Sequence, residues 1–297
     1  MRYIMVSGDL QVDGGRAAAL RDATIVVKVG GHAMVDPAAR AGMIADVVEL
    51  RDRYGARPLI VHGGGPEIDA MMKRLGLTPK FVSGLRVTDD ATLEIVRMVL
   101  VGNVNPDLVE QIGRHGGRGI GLIGNDGDLL VAGKKPPELA KVDGQETLVD
   151  FGWVGEVRKV DPTLLLDLLD KGYIPVISPI GYDREGRCLN LNADTVAGDI
   201  AAALKAASLV ALTDVDGVMM DPNDRSSLLH HLDDAECEDL LRRGVISRGM
   251  IPKIQSSLAV LRAGAGAVHI VNGNVPHALL KELLTEKGVG TTLTLRS

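Results

Sequence analysis

The sequence predicts an α/β fold built on one open, mainly parallel sheet, and three observations carry that prediction. Short, nearly uninterrupted aliphatic runs, such as TIVVKV at 24–29 and PLIVH at 58–62, read as strands buried on both faces. Longer stretches with helical periodicity separate them, the alternation expected of parallel strands joined by crossover helices. Glycine clusters follow directly on the first two strands, at Gly30-Gly31 and Gly63-Gly64-Gly65, where open α/β sheets place their ligand-binding turns.

Taken in order, residues 1–22 fall outside the alternation and read as an N-terminal extension interrupted by Asp13-Gly14-Gly15. After the strand at 24–29, Pro37 opens a helix to Tyr54 whose Met43, Ile44, Val47, Val48 and Leu50 form one apolar stripe. The strand at 58–62 comes next, and a further helix spans about 90–101. Residues 119–131, the stretch after Lys134 and residues 154–157 read as short strands and hairpins, expected as an insertion or lid over one end of the sheet. From Pro162 the alternation resumes, with a helix to Leu169, a strand at 173–177, a helix at 194–206 and strands at 209–213 and 267–271. Two lobes are expected, at 23–180 and 181–297.

Composition narrows the function classes. Apolar residues make up 45 % of the 297, enough for a sizeable core, and with two Phe, four Tyr and one Trp that core must be aliphatic. A formal charge of −6 gives no global support to nucleic-acid binding. The longest apolar run, 201–212, is broken by Lys205, so no membrane span is expected. No secretory signal is visible at the start, and a cytoplasmic location follows. Cys188 and Cys237 fit neither a zinc spacing nor a disulfide framework, and no grouping predicts a metal held by protein alone.

Lys28 is the first chemical anomaly. A lysine in a strand buried on both faces costs several kcal/mol unless it meets an anion or a solvated cleft. Gly30 and Gly31 follow at once, and glycine lets backbone N–H groups approach a phosphate without Cβ interference. His62-Gly63-Gly64-Gly65-Pro66 repeats the design, with a helix N-terminus added. Arg86 offers the planar fork that grips a carboxylate. Asn190-Leu191-Asn192-Ala193-Asp194 sets two amides and a carboxylate at a helix start, suited to capping or to orienting lysines such as Lys28 and Lys253. Neither a Walker A sequence nor GxGxxG after the first strand occurs, which argues against a P-loop enzyme and an NAD(P) dehydrogenase.

Read together and in this order, Lys28-Val29-Gly30-Gly31, HGGGP at His62, GLRVT at Gly84, DFGWVGE at Asp150, NLNAD at Asn190, TDVDGV at Thr213 and GMIPK at Gly249 resemble the amino-acid kinase superfamily. The resemblance runs from about Thr24 to the C-terminus. Within the superfamily the chain is similar to the members of arginine biosynthesis that use ATP to phosphorylate the side-chain carboxylate of N-acetyl-L-glutamate. It implies a three-layer α/β/α sandwich, with the acyl amino acid on the N-terminal lobe and ATP with Mg2+ on the C-terminal lobe. Lys28 and Lys253 would stabilise the phosphoryl group in transit and Asp194 would orient both. Gly30, Gly31, Gly63 and Gly64 would hold phosphate. Gly64, Gly65, Arg86 and Asn190 would bind the acyl amino acid, and Thr213, Asp214, Gly249 and Met250 the nucleotide.

His269, Glu282 and Gly288 match positions that contribute to an L-arginine inhibitor site in regulated members. A homodimer is the minimum assembly implied, with a hexamer through the N-terminal extension as the larger alternative. One departure stands out: the family usually has two glycines before the methionine near the second lysine, and this chain reads Ser247-Arg248-Gly249-Met250. Alternatives are a kinase of a carrier-linked aminoadipate or related carboxylate, and a non-catalytic arginine or nucleotide sensor.

Overall fold

The aliphatic runs pair into one eight-stranded sheet. A computed structural model describes residues 10–30, 36–142, 144–221, 223–246 and 249–296. The strands are β1 (Thr24–Val29), β2 (Arg57–His62), β3 (Gly119–Leu122), β4 (Ile174–Ile177), β5 (Ser208–Thr213), β6 (His231–Asp233), β7 (Ala267–Asn272) and β8 (Thr291–Thr294). Their spatial order is β6-β8-β7-β5-β1-β2-β4-β3. All neighbours from β7 to β3 run parallel, and only β8 lies antiparallel to β7.

Ten helices are described: α1 (Gly14–Ala19), α2 (Pro37–Tyr54), α3 (Gly65–Arg74), α4 (Asp90–Val99), α5 (Asn105–Arg114), α6 (Thr163–Asp170), α7 (Ala193–Ala203), α8 (Asp234–Arg242), α9 (Ile251–Arg262) and α10 (Ala278–Leu284). Alternation along the strands sorts them into two layers. Ile25, Val27 and Val29 face α2, α4, α5 and α10, whereas Val26 and its neighbours Leu59 and Leu209 face α6, α7, α8 and α9. Two aliphatic cores thus sandwich the sheet, the three-layer architecture that the resemblance implied.

Helix α2 matches its expected bounds because both of its ends are written in the sequence. The Asp36 carboxylate accepts from the Ala38 N–H at 2.9 Å, Pro37 sits in the first turn, and Gly55 closes the helix at φ 68°. The helix expected at 90–101 instead continues through a π-helical turn, Leu100–Val104, into α5. Pro106 has no N–H to give to the preceding turn, and the wide turn beside it absorbs that loss.

The central segment divides differently from the expectation. β3 is not part of a lid but the parallel edge strand beside β4. Its glycines look like turn residues in the sequence, yet Gly121 is small because the side chain of Asn105 on α5 occupies the space a Cβ would need. Beyond it, strands Leu130–Lys134, Gly155–Val160, Ile180–Tyr182 and Cys188–Asn190 make a separate four-stranded sheet. At the N-terminal end, Asp13-Gly14-Gly15 begins a helix: the Asp13 carboxylate caps α1 through the Arg16 N–H at 2.8 Å, and its N–H donates to Leu284 O at 2.8 Å.

Candidate active site

Lys28 lies on the face of β1 that meets α7 and α9, at the carboxyl end of the parallel strands. A cavity of about 250 Å3 opens there, floored by Leu209, Ala211 and Thr213 of β5 and by Val268 and Ile270 of β7. Lys28 is only 7 % exposed, and its Nζ sits 2.8 Å from Asp194 Oδ1. The carboxylate is available because Asn192, not Asp194, caps α7, accepting from the N–H groups of Asp194 and Thr195 at 2.8 and 3.2 Å. Asp194 keeps half of its side chain in solvent. Lys253, in the first turn of α9, lines the same cavity. Two ammonium groups against one carboxylate leave the described lining net positive.

A second cavity of about 200 Å3 adjoins the first, and Asn192 lines both. Gly63, Gly64, Gly65, Arg86 and Asn190 converge on it. Arg86 is held rather than free: Nη1 donates to Asp69 Oδ1 at 2.6 Å, and the guanidinium lies 4.6 Å from the Phe81 ring centroid. Asn190 Nδ2 donates to Thr88 Oγ1 at 3.1 Å, and Thr88 Oγ1 donates to Arg86 O at 3.0 Å. That chain ties together the two segments walling the cavity. Gly64 forms the N-terminus of α3, where a Cβ would come within 2.5 Å of Leu100 Cδ2. At Gly30 a Cβ would meet Leu212 O at 3.0 Å and Lys28 Nζ at 3.3 Å.

Other residues singled out in the sequence fall elsewhere. Thr213 lines the first cavity and accepts from the Val215 N–H at 3.1 Å, shaping the turn after β5. Asp214 and Gly249 are exposed, and Met250 is buried at the start of α9; none of the three lines the cavity. Gly31, Ser247 and Arg248 lie outside the described residues. Among those residues no group of three or more His, Cys, Asp and Glu could hold a metal ion, and no helix is long and apolar enough to cross a membrane.

His269, Glu282 and Gly288 form a separate cluster. Val268 and Ile270 point into the first cavity, so His269 points to the opposite face of β7. There its Nδ1 lies 3.0 Å from Glu282 Oε1, which also accepts from Thr292 Oγ1 at 2.9 Å. Glu282 Oε2 accepts from the N–H groups of Val289 and Gly290, both at 2.8 Å. Burial pushes the Glu282 carboxyl up, but His269 and the two N–H groups overcome it and hold it at about 2. Gly288 is small because a Cβ would come within 2.6 Å of Glu282 Oε2.

Sequence reasoning missed Asp69 and Phe81, which hold Arg86, and Thr195, which lines the first cavity. Their residue types and spacing carry no signal; only the fold brings them in. A third cavity, of about 400 Å3, shares Asn192 and Thr195 and is walled by Lys135, Glu156 and Asp199. Burial raises the Asp199 carboxyl to about 6.

Residues 23–272 match the model of the amino acid kinase family. An acetylglutamate kinase of Methanocella arvoryzae is 71 % identical over 281 residues, covering 95 % of this chain and 93 % of that one. One of Methanothrix thermoacetophila is 49 % identical over 273 residues, covering 92 % and 93 %. Among solved structures, N-acetylglutamate synthase from Neisseria gonorrhoeae complexed with coenzyme A and N-acetyl-glutamate superposes with a TM-score of 0.79 at 26 % identity; the match covers 95 % of this chain and 62 % of the synthase. The same synthase complexed with coenzyme A and L-arginine gives 0.77 at 25 % identity, covering 95 % and 64 %.

Proposed function

Because the chain belongs to the amino acid kinase family, we infer that its adjoining cavities pass the terminal phosphoryl group of ATP to the side-chain carboxylate of N-acetyl-L-glutamate, a step of arginine biosynthesis. The observation that carries this reading is the Lys28–Asp194 pair at 2.8 Å in a net positive cavity that shares Asn192 as a wall with the Arg86 cavity. ATP fits the first cavity, on the C-terminal lobe at 181–297. The acyl amino acid fits the second, lined mostly by the N-terminal lobe at 23–180 and closed by residues 190–193 of the other, with Arg86 and Asn190 taking its carboxylates.

A carboxylate is already ionised at neutral pH, so the reaction needs no general base. One of its oxygens attacks the γ-phosphorus, the bond to the bridging oxygen breaks, and ADP leaves with that electron pair. The difficulty is to bring two anions together, and positioning with charge neutralisation supplies the rate. Lys28 and Lys253 meet the charge on the transferring group, and Asp194 sets the direction of Lys28. The N–H groups around Gly30, Gly63 and Gly64 would cradle the phosphoryl oxygens and Thr213 would meet the nucleotide, whereas Asp214, Gly249 and Met250, which the resemblance assigned to the nucleotide, lie outside the lining of the first cavity. Two ammonium groups and one carboxylate suit a polyphosphate better than a bare cation, so Mg2+ would arrive held by the ATP phosphates.

The same proposal extends to L-arginine as an inhibitor at His269, Glu282 and Gly288. The Glu282 carboxylate takes four donors of its own fold, so a guanidinium would have to displace one to reach it. The assembly proposed is a homodimer or a hexamer, and the location the cytoplasm. An ADP-release assay with Mg-ATP tests the central reading by comparing N-acetyl-L-glutamate, L-glutamate, N-acetyl-L-aspartate and aminoadipate derivatives. Selective turnover of N-acetyl-L-glutamate is expected. ATP binding with no turnover of any free amino acid would point to a carrier-linked substrate or a sensor, and an arginine titration without effect on rate or substrate affinity would remove the inhibitor.

A further inference from the structure

Behind the second glycine loop lies a buried polar cluster that the phosphoryl transfer described above does not use. His62, the last residue of β2, is fully buried. Its Nδ1 lies 2.8 Å from Gly63 O, and its Nε2 lies 3.0 Å from Ser178 Oγ and 3.2 Å from Asn105 Nδ2. Asn105 Nδ2 in turn donates to Val176 O at 2.8 Å and Ser178 Oγ at 3.0 Å. Buried polar groups are costly, and aliphatic side chains would fill this site more cheaply. The shape around it is nevertheless specialised. Gly121 gives up its side chain to admit Asn105, and the π-helical turn ending at Val104 delivers Asn105 to the sheet.

The bonding leaves one assignment for the imidazole. A carbonyl oxygen can only accept, so Nδ1 carries the proton and donates to Gly63 O; Nε2 is then an acceptor for Ser178 or Asn105. Burial pushes the ring down to about 4, against the Gly63 hydrogen bond, so this neutral tautomer persists at working pH. Gly63 is also fixed on its other side, where its N–H donates to Val29 O at 2.9 Å.

We propose that His62 is a positioning residue for phosphoryl transfer: by holding the Gly63 carbonyl from behind, it aims the Gly64 N–H at the transferring group. The peptide joining Gly63 to Gly64 is trans, and in a trans peptide C=O and N–H point in opposite directions. A carbonyl drawn inward to His62 therefore turns the next N–H outward, on the glycine segment that lines the acceptor cavity. Accepting a hydrogen bond also polarises that peptide and strengthens its N–H as a donor. Asn105 and Ser178 hold the ring, and Leu100 of the π-helical turn covers Gly64 from the other side. The inference rests on the reading that the Gly64 N–H serves the phosphoryl group.

Two substitutions at one position provide the test. An asparagine amide nitrogen can reach the place of Nδ1 and donate there, whereas a glutamine amide oxygen can reach that of Nε2 and accept there. His62→Gln keeps the contact to Ser178 and loses the one to Gly63, so kcat should fall about 10- to 100-fold, somewhat less than for removal of a donor outright. KM for both substrates should stay within about threefold, because the N–H matters most when charge builds in the transition state. His62→Asn keeps the contact to Gly63 and should hold kcat within about fivefold of the unaltered protein. Urea unfolding of both variants gives the stability ranking. A kcat that follows stability, or falls equally in both variants, would overturn the proposal. Should neither variant fold, Ser178→Ala decides: loosening the ring predicts lower kcat at unchanged KM, and an unchanged kcat refutes the proposal. If the unaltered protein shows no turnover, the transfer reading fails instead.

Discussion

Replacing Lys28 by methionine should separate catalysis from folding. Lys28 is 7 % exposed and its ammonium lies 2.8 Å from Asp194, so its removal looks at first like the loss of a buried ion pair. Breaking such a pair costs about 3–5 kcal/mol when it strands the other charge in the interior. Here the Asp194 side chain is 51 % exposed and can return to water. Methionine also fills most of the volume of the lysine stem, so little cavity is left. The net change in unfolding free energy should stay within about 1.5 kcal/mol of zero. Transition-state stabilisation behaves differently, since a missing donor to the developing charge costs roughly 10²- to 10³-fold in kcat, or about 2.7–4 kcal/mol. Steady-state ADP release and urea unfolding on the same preparation measure both quantities. A variant retaining kcat within about threefold, or one losing more than about 3 kcal/mol of stability in proportion to activity, would refute the reasoning.

Arg86→Lys should raise KM for the acyl amino acid at least about tenfold while leaving KM for ATP unchanged, because an ammonium cannot hold Asp69 and a carboxylate in one planar fork; equal effects on both substrates would contradict this. Gly64→Ala drives a methyl to 2.5 Å from Leu100 Cδ2 and should cost about 1–3 kcal/mol in urea unfolding, with Leu100→Ala on the same chain restoring part of it; full stability of the single variant would argue against the close fit. The Glu282 carboxyl, held at about 2, contributes stability that is present above its unfolded value near 4.5 and lost as pH falls through about 2. That contribution is on the order of 3 kcal/mol, so Glu282→Gln should flatten the stability profile between pH 5 and 2. An acid limb unchanged in the variant would assign it to other groups.

How much of this was legible in the sequence depended on whether a residue's role is local. β1, α2 and β5 could be placed because burial on both faces, a proline start and an αL glycine stop are written within the segments themselves. The strand Gly119–Leu122 was misplaced, since its glycines are small for Asn105 and α5 rather than for a turn. Asp13-Gly14-Gly15 looked like a break because two glycines favour a turn; the Asp13 cap is local, but the contact that docks the segment, from the Asp13 N–H to Leu284 O, comes from the far end of the chain. At the candidate site, Lys28 announced itself as a charge in an aliphatic strand, but its distance to Asp194 required most of the sheet and its crossover helices to fold between them. Asp69 had no signal at all, because its partner Arg86 lies seventeen residues away across a turn. The roles of Asn192 and Asp194, one capping and one pairing with Lys28, were separable only from geometry.

Trapping the product with hydroxylamine tests the central claim most directly. Phosphoryl transfer to a side-chain carboxylate makes an acyl phosphate, which hydroxylamine converts to a hydroxamate. With Mg-ATP and N-acetyl-L-glutamate, hydroxamate should form in step with ADP, one for one, and its rate should fall roughly 10²- to 10³-fold with Lys28→Met. ADP released without hydroxamate would mean that water, or another acceptor, receives the phosphoryl group, and would contradict the assignment of the Arg86 cavity as the acceptor site.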